Sequence, residues 1–243
     1  MDHTRNNAGS LEAKLVVLGT QGVGKTSLVV RYETHTSVPT TPVKAKQAPR
    51  YVKNTFDPQS ASTIGASFLA KKVPVDDTVV KLQDTAGQER YRSISKLYYR
   101  SANCGILCYD ITSEASFLAM HSWLLELKKN IPNNIIIHIV GTKADLVNAD
   151  PTKREVPFER CVAYAAEHLG DGERGGYTGM DTCHEISARD DTGIDEVFQV
   201  ISRKLVEKRL EIEYERLYGV QRHPVQNGAD ITQQNDAGSG RCC

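Results

Sequence analysis

The chain has no surplus of either charge. Its 30 Lys and Arg residues stand against 30 Asp and Glu in 243 residues, so nothing global draws it to nucleic acid or to an anionic surface. It has no apolar run near the ~18 residues of a membrane span, and any attachment to a bilayer is expected to be covalent or through a partner. The polar opening MDHTRNNAGSLEAK lacks a secretory pattern. Six cysteines occur, Cys104, Cys108, Cys161, Cys183, Cys242 and Cys243, without the paired spacing of a metal site. A reduced cytosolic compartment is the simpler expectation. With 40% hydrophobic and 25% charged residues, the chain can bury one good core and carry appendages.

What is present begins with GTQGVGKTS, Gly19 to Ser27, between the apolar run Leu15 to Leu18 and a helical stretch from Leu28 to Tyr32. This is the GxxxxGK[ST] arrangement of a P-loop. Gly19, Gly22 and Gly24 can adopt backbone angles closed to other residues. The amides of Gly19, Gln21, Gly22, Val23, Gly24 and the following Lys25, Thr26 and Ser27 can then wrap a phosphate at a helix N-terminus. Lys25 is placed to reach the β and γ oxygens, and the Thr26 hydroxyl to hold Mg²⁺.

Lys14 to Leu18 reads as a buried strand and Thr26 to Tyr32 as the first helix. Phe68 to Val75 and Thr78 to Gln83 read as a hairpin around Asp76-Asp77. Cys104 to Tyr109 and Ile135 to Val140 are apolar and too short for helices. Helical patterns cover Ser113 to Asn130, Pro157 to Leu169 and Thr192 to Glu213. Strands alternating with helices predict an α/β fold, a doubly wound, mostly parallel sheet with its ligand at the carboxyl ends of the strands.

Further motifs fall at such ends. Asp84-Thr85-Ala86-Gly87-Gln88-Glu89 offers a carboxylate for Mg²⁺ through water, a Gly87 amide for a γ-phosphate, and Gln88 to orient an attacking water. In Thr142-Lys143-Ala144-Asp145, the Asp145 carboxylate can accept both N1–H and the 2-amino group of guanine, a donor pair adenine lacks. Glu185-Ile186-Ser187-Ala188-Arg189 can present a backbone N–H to the guanine O6.

In this order the motifs resemble the Ras superfamily of small GTPases, and the Rab branch in particular. Thr63 to Phe68, Arg90 to Ile94, Tyr98 to Ala102 and Leu107 to Thr112 are similar to segments that separate Rabs from other small GTPases, over about Lys14 to Arg209. STIGASF and TSLVVRY look most like endocytic Rabs. The resemblance implies a six-stranded sheet with helices on both faces, GTP and GDP as substrate and product, and Mg²⁺ as cofactor. It implies catalysis by Gln88 and Lys25, with Thr26, Thr63 and Asp84 around the metal. Gly87 and Thr63 would meet the γ-phosphate, and Thr142, Lys143, Asp145, Ser187, Ala188 and Arg189 would surround the base. Phe56 would pack against the guanine or anchor its loop. The partners implied are an exchange factor, a GTPase-activating protein, a GDP-dissociation inhibitor, an escort protein and trafficking effectors, with no nucleic acid.

The chain departs from that pattern in two places. The interval from Thr26 to Thr63 is about twice the family's, and removing Glu33 to Tyr51 restores the family-like TSLVVRYVKNTFDPQSASTIGASF. Residues 33–51 are rich in proline without apolar periodicity, so a solvated loop is expected. Where the family reads KLQIWDTAGQE, this chain reads KLQDTAGQE, two residues shorter. An even loss keeps strand alternation but is expected to shorten the strand. Alternative splicing or a mistaken gene model would each produce this pair of changes. Gln21, where Ras-like proteins carry glycine, is expected to crowd the attacking water and slow hydrolysis. Residues 171–181 read as a second inserted loop.

The expected organisation is a polar arm at 1–13, a GTPase domain at 14–212 and a flexible tail at 213–243. The tail's Cys242-Cys243 resembles the double prenylation site of Rabs, which would place the protein on the cytoplasmic face of endosomal membranes with a cytosolic pool. The function implied is a slow GTPase switch in vesicle traffic. The alternative is a guanine-nucleotide-binding module with impaired hydrolysis and effector binding.

Overall fold

The structure is a computed structural model that describes residues 9–35, 68–75, 78–86, 101–131, 135–169 and 179–218. Six strands form one sheet: β1 (Gly9–Leu18), β2 (Phe68–Val75), β3 (Thr78–Ala86), β4 (Cys104–Asp110), β5 (Ile136–Thr142) and β6 (Cys183–Glu185). Their order is β2-β3-β1-β4-β5-β6, with β2 antiparallel to β3 and the remaining pairs parallel. This is the mostly parallel sheet that the alternating pattern implies, with the six strands that the resemblance implies.

Alternation along β1 shows why both faces are covered. Leu11, Ala13, Leu15 and Val17 enter one apolar cluster, while Val16 and Leu18 enter another. The first cluster takes Leu28, Val29 and Tyr32 from α1 (Lys25–His35) and Val197, Phe198, Ile201 and Leu205 from α5 (Ile194–Glu207). The second takes Phe117, Met120, Trp123, Leu124 and Leu127 from α2 (Glu114–Asn130) and Cys161 and Ala165 from α4 (Phe158–Leu169). A strand buried on both faces is an unbroken apolar run, which is how Leu15 to Leu18 reads. Ser113 caps α2, its hydroxyl accepting from the Ser116 N–H at 3.3 Å. No helix among the described residues is long and apolar enough to cross a membrane.

Several boundaries differ from expectation. Strand β1 starts at Gly9, inside the expected polar arm, because Leu11 and Ala13 alternate inward past Glu12 and pair with Val80 and Leu82. Helix α1 runs to His35, so the first residues of the expected inserted loop continue the helix; no Gly or Pro stops it before Pro39. A short helix, α3 (Ala144–Ala149), follows β5. A 3-10 turn at Gly179–Thr182 occupies the end of the second expected loop. The last helical pattern is broken at Lys208 and resumes as α6 (Arg209–Tyr218), which enters the expected tail. Ile212 is buried and Arg216 lies 3.1 Å from Glu12 of β1, and these contacts hold the extension to the domain.

One buried polar pair has a consequence for stability. His138 of β5 is fully buried, with its Nε2 2.9 Å from Nδ1 of His184 and no hydrogen-bond partner for its own Nδ1 among the described residues. Burial, then the neighbouring His184 and Lys204, holds the His138 imidazole well below the ordinary histidine range. Burial and Lys204 lower His184 as well, against the opposing carboxylates of Glu196 and Asp181. The unfolded chain takes up these protons near pH 6.5 while the folded chain resists them. Stability is therefore complete above that pH and falls as the pH drops below it, by at most about 1.4 kcal/mol per pH unit for each imidazole. Melting from pH 8 to pH 5 is expected to show this decline, and His138→Gln to flatten it; equal slopes would assign the acid loss elsewhere.

Candidate functional site

The loop after β1 is shaped by its glycines. Gly19 has φ +145°, and a Cβ there would lie 2.3 Å from the Cys108 carbonyl oxygen, so no side chain fits. Gly24, at φ +88°, gives the left-handed turn that starts α1. The Leu28 N–H closes on the Gly24 oxygen at 2.9 Å. The amides ahead of it belong to the first turn, whose N–H groups the helix ladder does not use. Lys25 Nζ donates to the Gly19 and Thr20 carbonyls at 2.8 Å each, which holds its charge inside the loop it closes. A cleft of about 370 Å³ lies on one flank, lined by Thr20, Gln21, Gly22 and Val23 with Asp110, Ser113 and Lys143. A loop of outward amides, one ammonium and a helix N-terminus can bind a polyphosphate.

Thr142 takes a different part from the one expected. It is buried, and its hydroxyl lies 2.6 Å from the Val23 oxygen and 2.9 Å from the Tyr109 oxygen. It ties the phosphate loop to β4 instead of facing a base. Val23 likewise sends its side chain into the core, so only its backbone belongs to the loop surface.

The next residue, Lys143, has φ +65° and turns the chain into α3. Its ammonium lies 2.6 Å from Asp110 Oδ2, while Oδ1 of Asp110 accepts the Thr112 N–H and hydroxyl at 2.9 and 2.7 Å. Asp110 thus aims Lys143 across the loop. It stands in the LCYDIT segment, but its role depends on a contact between β4 and the end of β5 that spacing alone does not reveal.

Asp145, in the first turn of α3, accepts from the Ser187 hydroxyl at 2.8 Å. Ser187 is fully buried and also accepts the Asp190 N–H at 2.9 Å. A backbone bridge between Ser187 and Thr192 closes the loop around it. Asp145 is thereby fixed by one oxygen with the other turned toward Arg189, whose guanidinium is 3.9 Å away and largely exposed. Such a separation contributes little. Glu185, at the head of this loop, is gripped by the Arg154 fork at 2.6 and 2.8 Å, a bidentate pair that raises the already high arginine pKa.

The site residues are thus partly assembled. Gly19, Gln21, Gly22, Val23, Gly24, Lys25, Thr26 and Ser27 form one loop, and Lys143, Asp145, Ser187, Ala188 and Arg189 converge at the same end of the sheet. Phe56, Thr63, Gly87, Gln88, Cys242 and Cys243 lie outside the described residues. Asp84 falls within β3, opposite Leu15 of β1, inside the ladder and not at its end. For a magnesium ion, Thr26 fits: a hydroxyl in the first turn of α1, directly after the lysine that closes the loop. Asp84 stands set back from it along the strand. Among the described residues no three of His, Cys, Asp and Glu gather into a metal cluster.

Residues 41–207 match the Ras family profile. The phosphate loop precedes the matched span, yet relatives of this chain cover it. The chain is 51% identical over 236 residues to the Ras-like GTP-binding protein RYL2 of Yarrowia lipolytica, covering 96% of this chain and 99% of that protein. It is 39% identical over 203 residues to the GTP-binding protein ypt5 of Schizosaccharomyces pombe, covering 82% and 80%. With residues 41–207 matched to that profile and the greater part of its length aligned with both relatives, the chain belongs to the Ras family of small GTPases and is of the Rab type.

Proposed function

We propose that this protein binds GTP and GDP, hydrolyses GTP slowly, and uses the difference to switch effectors in vesicle traffic on endosomal membranes. The observation that carries this reading is the convergence, at one end of the sheet, of the loop closed by Lys25 with Asp145 and Ser187. Loop amides and Lys25 bind and orient the phosphates, and Asp145 selects guanine. Gln88 orients the water for in-line attack on the γ-phosphorus, giving GDP and phosphate. Magnesium, when bound, neutralises charge on the phosphates; Thr26 would hold it together with phosphate oxygens. Gln21, exposed at the mouth of the loop, slows the reaction by crowding the water.

The trafficking part of the proposal is supported by the STIGASF and TSLVVRY segments and by the paired terminal cysteines. Two prenyl chains on Cys242 and Cys243 would anchor the protein to the cytoplasmic face of the membrane, since one chain binds only marginally. An inhibitor that shields them would maintain the cytosolic pool. Exchange factor, activating protein, escort protein and effectors complete the cycle.

Single-turnover hydrolysis of γ-labelled GTP tests the enzymatic core. Phosphate release that is abolished by Gln88→Leu is expected, and no release above the rate in buffer would leave only a binding module. Lys25→Ala is expected to weaken GDP binding by about 10- to 100-fold through loss of charge-assisted contacts. Thr26→Asn should favour GDP over GTP. Titration with a fluorescent GDP checks both, and wild-type affinity in Lys25→Ala would remove the lysine from the site.

A further inference from the structure

The segment Ser187–Arg189 is held from behind by a residue of α1. Arg31 donates from Nε to the Ala188 oxygen at 2.8 Å and from Nη2 to the Arg189 oxygen at 3.4 Å, across 157 and 158 positions of sequence. One planar guanidinium therefore spans two consecutive carbonyls, a grip that lysine cannot reproduce. The next residue anchors the helix under it: the Tyr32 ring stacks on Phe198 of α5, with centroids 3.5 Å apart and planes 7° from parallel. The arginine is thus mounted on a packed turn of helix.

The direction of this grip matters. In a trans peptide the N–H opposes the carbonyl, so with the Ala188 oxygen held by Arg31 the Arg189 N–H of the same peptide turns away from that guanidinium, while the Asp190 N–H is taken up by Ser187. The inner end of the loop has fixings of its own, with Ser187 bonded to Asp145 and bridged to Thr192. Ala188 and Arg189 lie between the bridged residues, and their carbonyls are the ones that Arg31 holds.

We propose that Arg31 is a positioning residue for base recognition, holding the 188–189 peptides so that their amide meets the O6 of guanine. This deepens the guanine-nucleotide reading and rests on it. Arg31 acts through the loop without touching the base, so its contribution goes to one atom of the ligand. Truncating it should loosen recognition of O6 and spare recognition of the 2-amino group by Asp145. Because α1 leads directly into residues 36–67, whatever displaces the end of α1 would also reach the base loop through this arginine.

The experiment compares binding of GDP, of the 2-aminopurine ribonucleoside diphosphate, which lacks O6 and with it the N1–H, and of ADP, to the full chain and to Arg31→Ala and Arg31→Lys; the analogue's loss of the N1–H is common to all three proteins, so the change in its ratio to GDP reads the O6 contact. Wild type should prefer GDP to the analogue. In Arg31→Ala that preference should shrink by about 3- to 30-fold, inside the range for groups coupled through one network. The change should come from weaker GDP binding, with the analogue's affinity unchanged, and Arg31→Lys should recover only part of it. Equal weakening toward both ligands would make Arg31 merely structural and overturn the proposal, as would no weakening at all. The comparison uses a ratio of affinities, so partial unfolding of a variant does not imitate the expected result. Failure of the guanine reading looks different: wild type would then bind GDP no better than ADP.

Discussion

Asp145→Asn is expected to lose GDP and GTP by about two to four orders of magnitude and to gain the xanthine nucleotides in their place. The native carboxylate is acceptor-only, and its environment keeps it aimed: the Ser187 hydroxyl donates to Oδ1 at 2.8 Å, and Ser187 is fully buried. Guanine's N1–H and 2-amino groups supply the donors such a group needs. An amide presents one donor and one acceptor, so one edge of the guanine would then meet a donor facing a donor. Xanthine has an oxygen at position 2, which restores the match. The Ser187 bond can survive the change, because the Asn oxygen still accepts from its hydroxyl. The loop should therefore stay folded, and the loss should fall on ligand choice and not on stability. Competition of fluorescent GDP with GDP, XDP and ADP checks this, alongside melting of the unliganded variant. GDP affinity retained in the variant would remove Asp145 from base recognition.

How far this site was legible in the sequence depends on the range of the contacts. The phosphate loop is local: three glycines and a lysine within Gly19 to Lys25 dictate a turn, and the structure gives Gly19, Gly22 and Gly24 the positive φ angles that turn requires. Strand identity was also local, since Leu15 to Leu18 and Cys104 to Tyr109 are apolar throughout and are buried throughout. Half-polar edges hid more. Gly9 to Ala13 carries its apolar residues at alternate positions, and Ser10 and Glu12 between them make it read as part of a polar arm. Helix α6 continues past Glu213 because Ile212 and Arg216 find β1, a tertiary cause that period alone does not contain. The bracing residues were the least legible. Thr142 reads as a base contact by position, yet its hydroxyl turns inward to Val23 and Tyr109. Asp110, Arg154 and Arg31 are ordinary charged residues in sequence and acquire their roles only when the sheet brings Lys143, Glu185 and Ala188 to them.

Restoring Ile-Trp between Gln83 and Asp84 is expected to tighten Mg²⁺ in the GDP complex by about 10- to 100-fold, the effect of one charge-assisted contact. The sequence predicts a shortened strand, but β3 forms a full ladder, from Thr78 opposite Gly9 to Ala86 opposite Val17. The consequence of the two residues lies instead in the register. Gln83 pairs with Lys14 and Asp84 with Leu15, so the carboxylate-bearing residue lies well before the end of β1 that leads into the phosphate loop. With the pairing of Thr78 to Gln83 kept, two added residues carry Asp84 forward to stand opposite Val17, about 7 Å nearer that end. The step is even, so the alternation of β3 is preserved and only the position along the strand changes. The inserted loop acts on a different term. Removing residues 36–51 shortens the chain that must be ordered when Phe56 and Thr63 dock, which should favour the GTP state without restoring the metal contact. The two changes are best made singly and together. GDP release against buffered free Mg²⁺ reads the first, and GTP-selective capture of endosomal effectors reads the second. A release midpoint unmoved by Ile-Trp would show that Asp84 serves the metal equally well from where it stands. Equal capture with and without residues 36–51 would show that the longer interval costs the switch nothing.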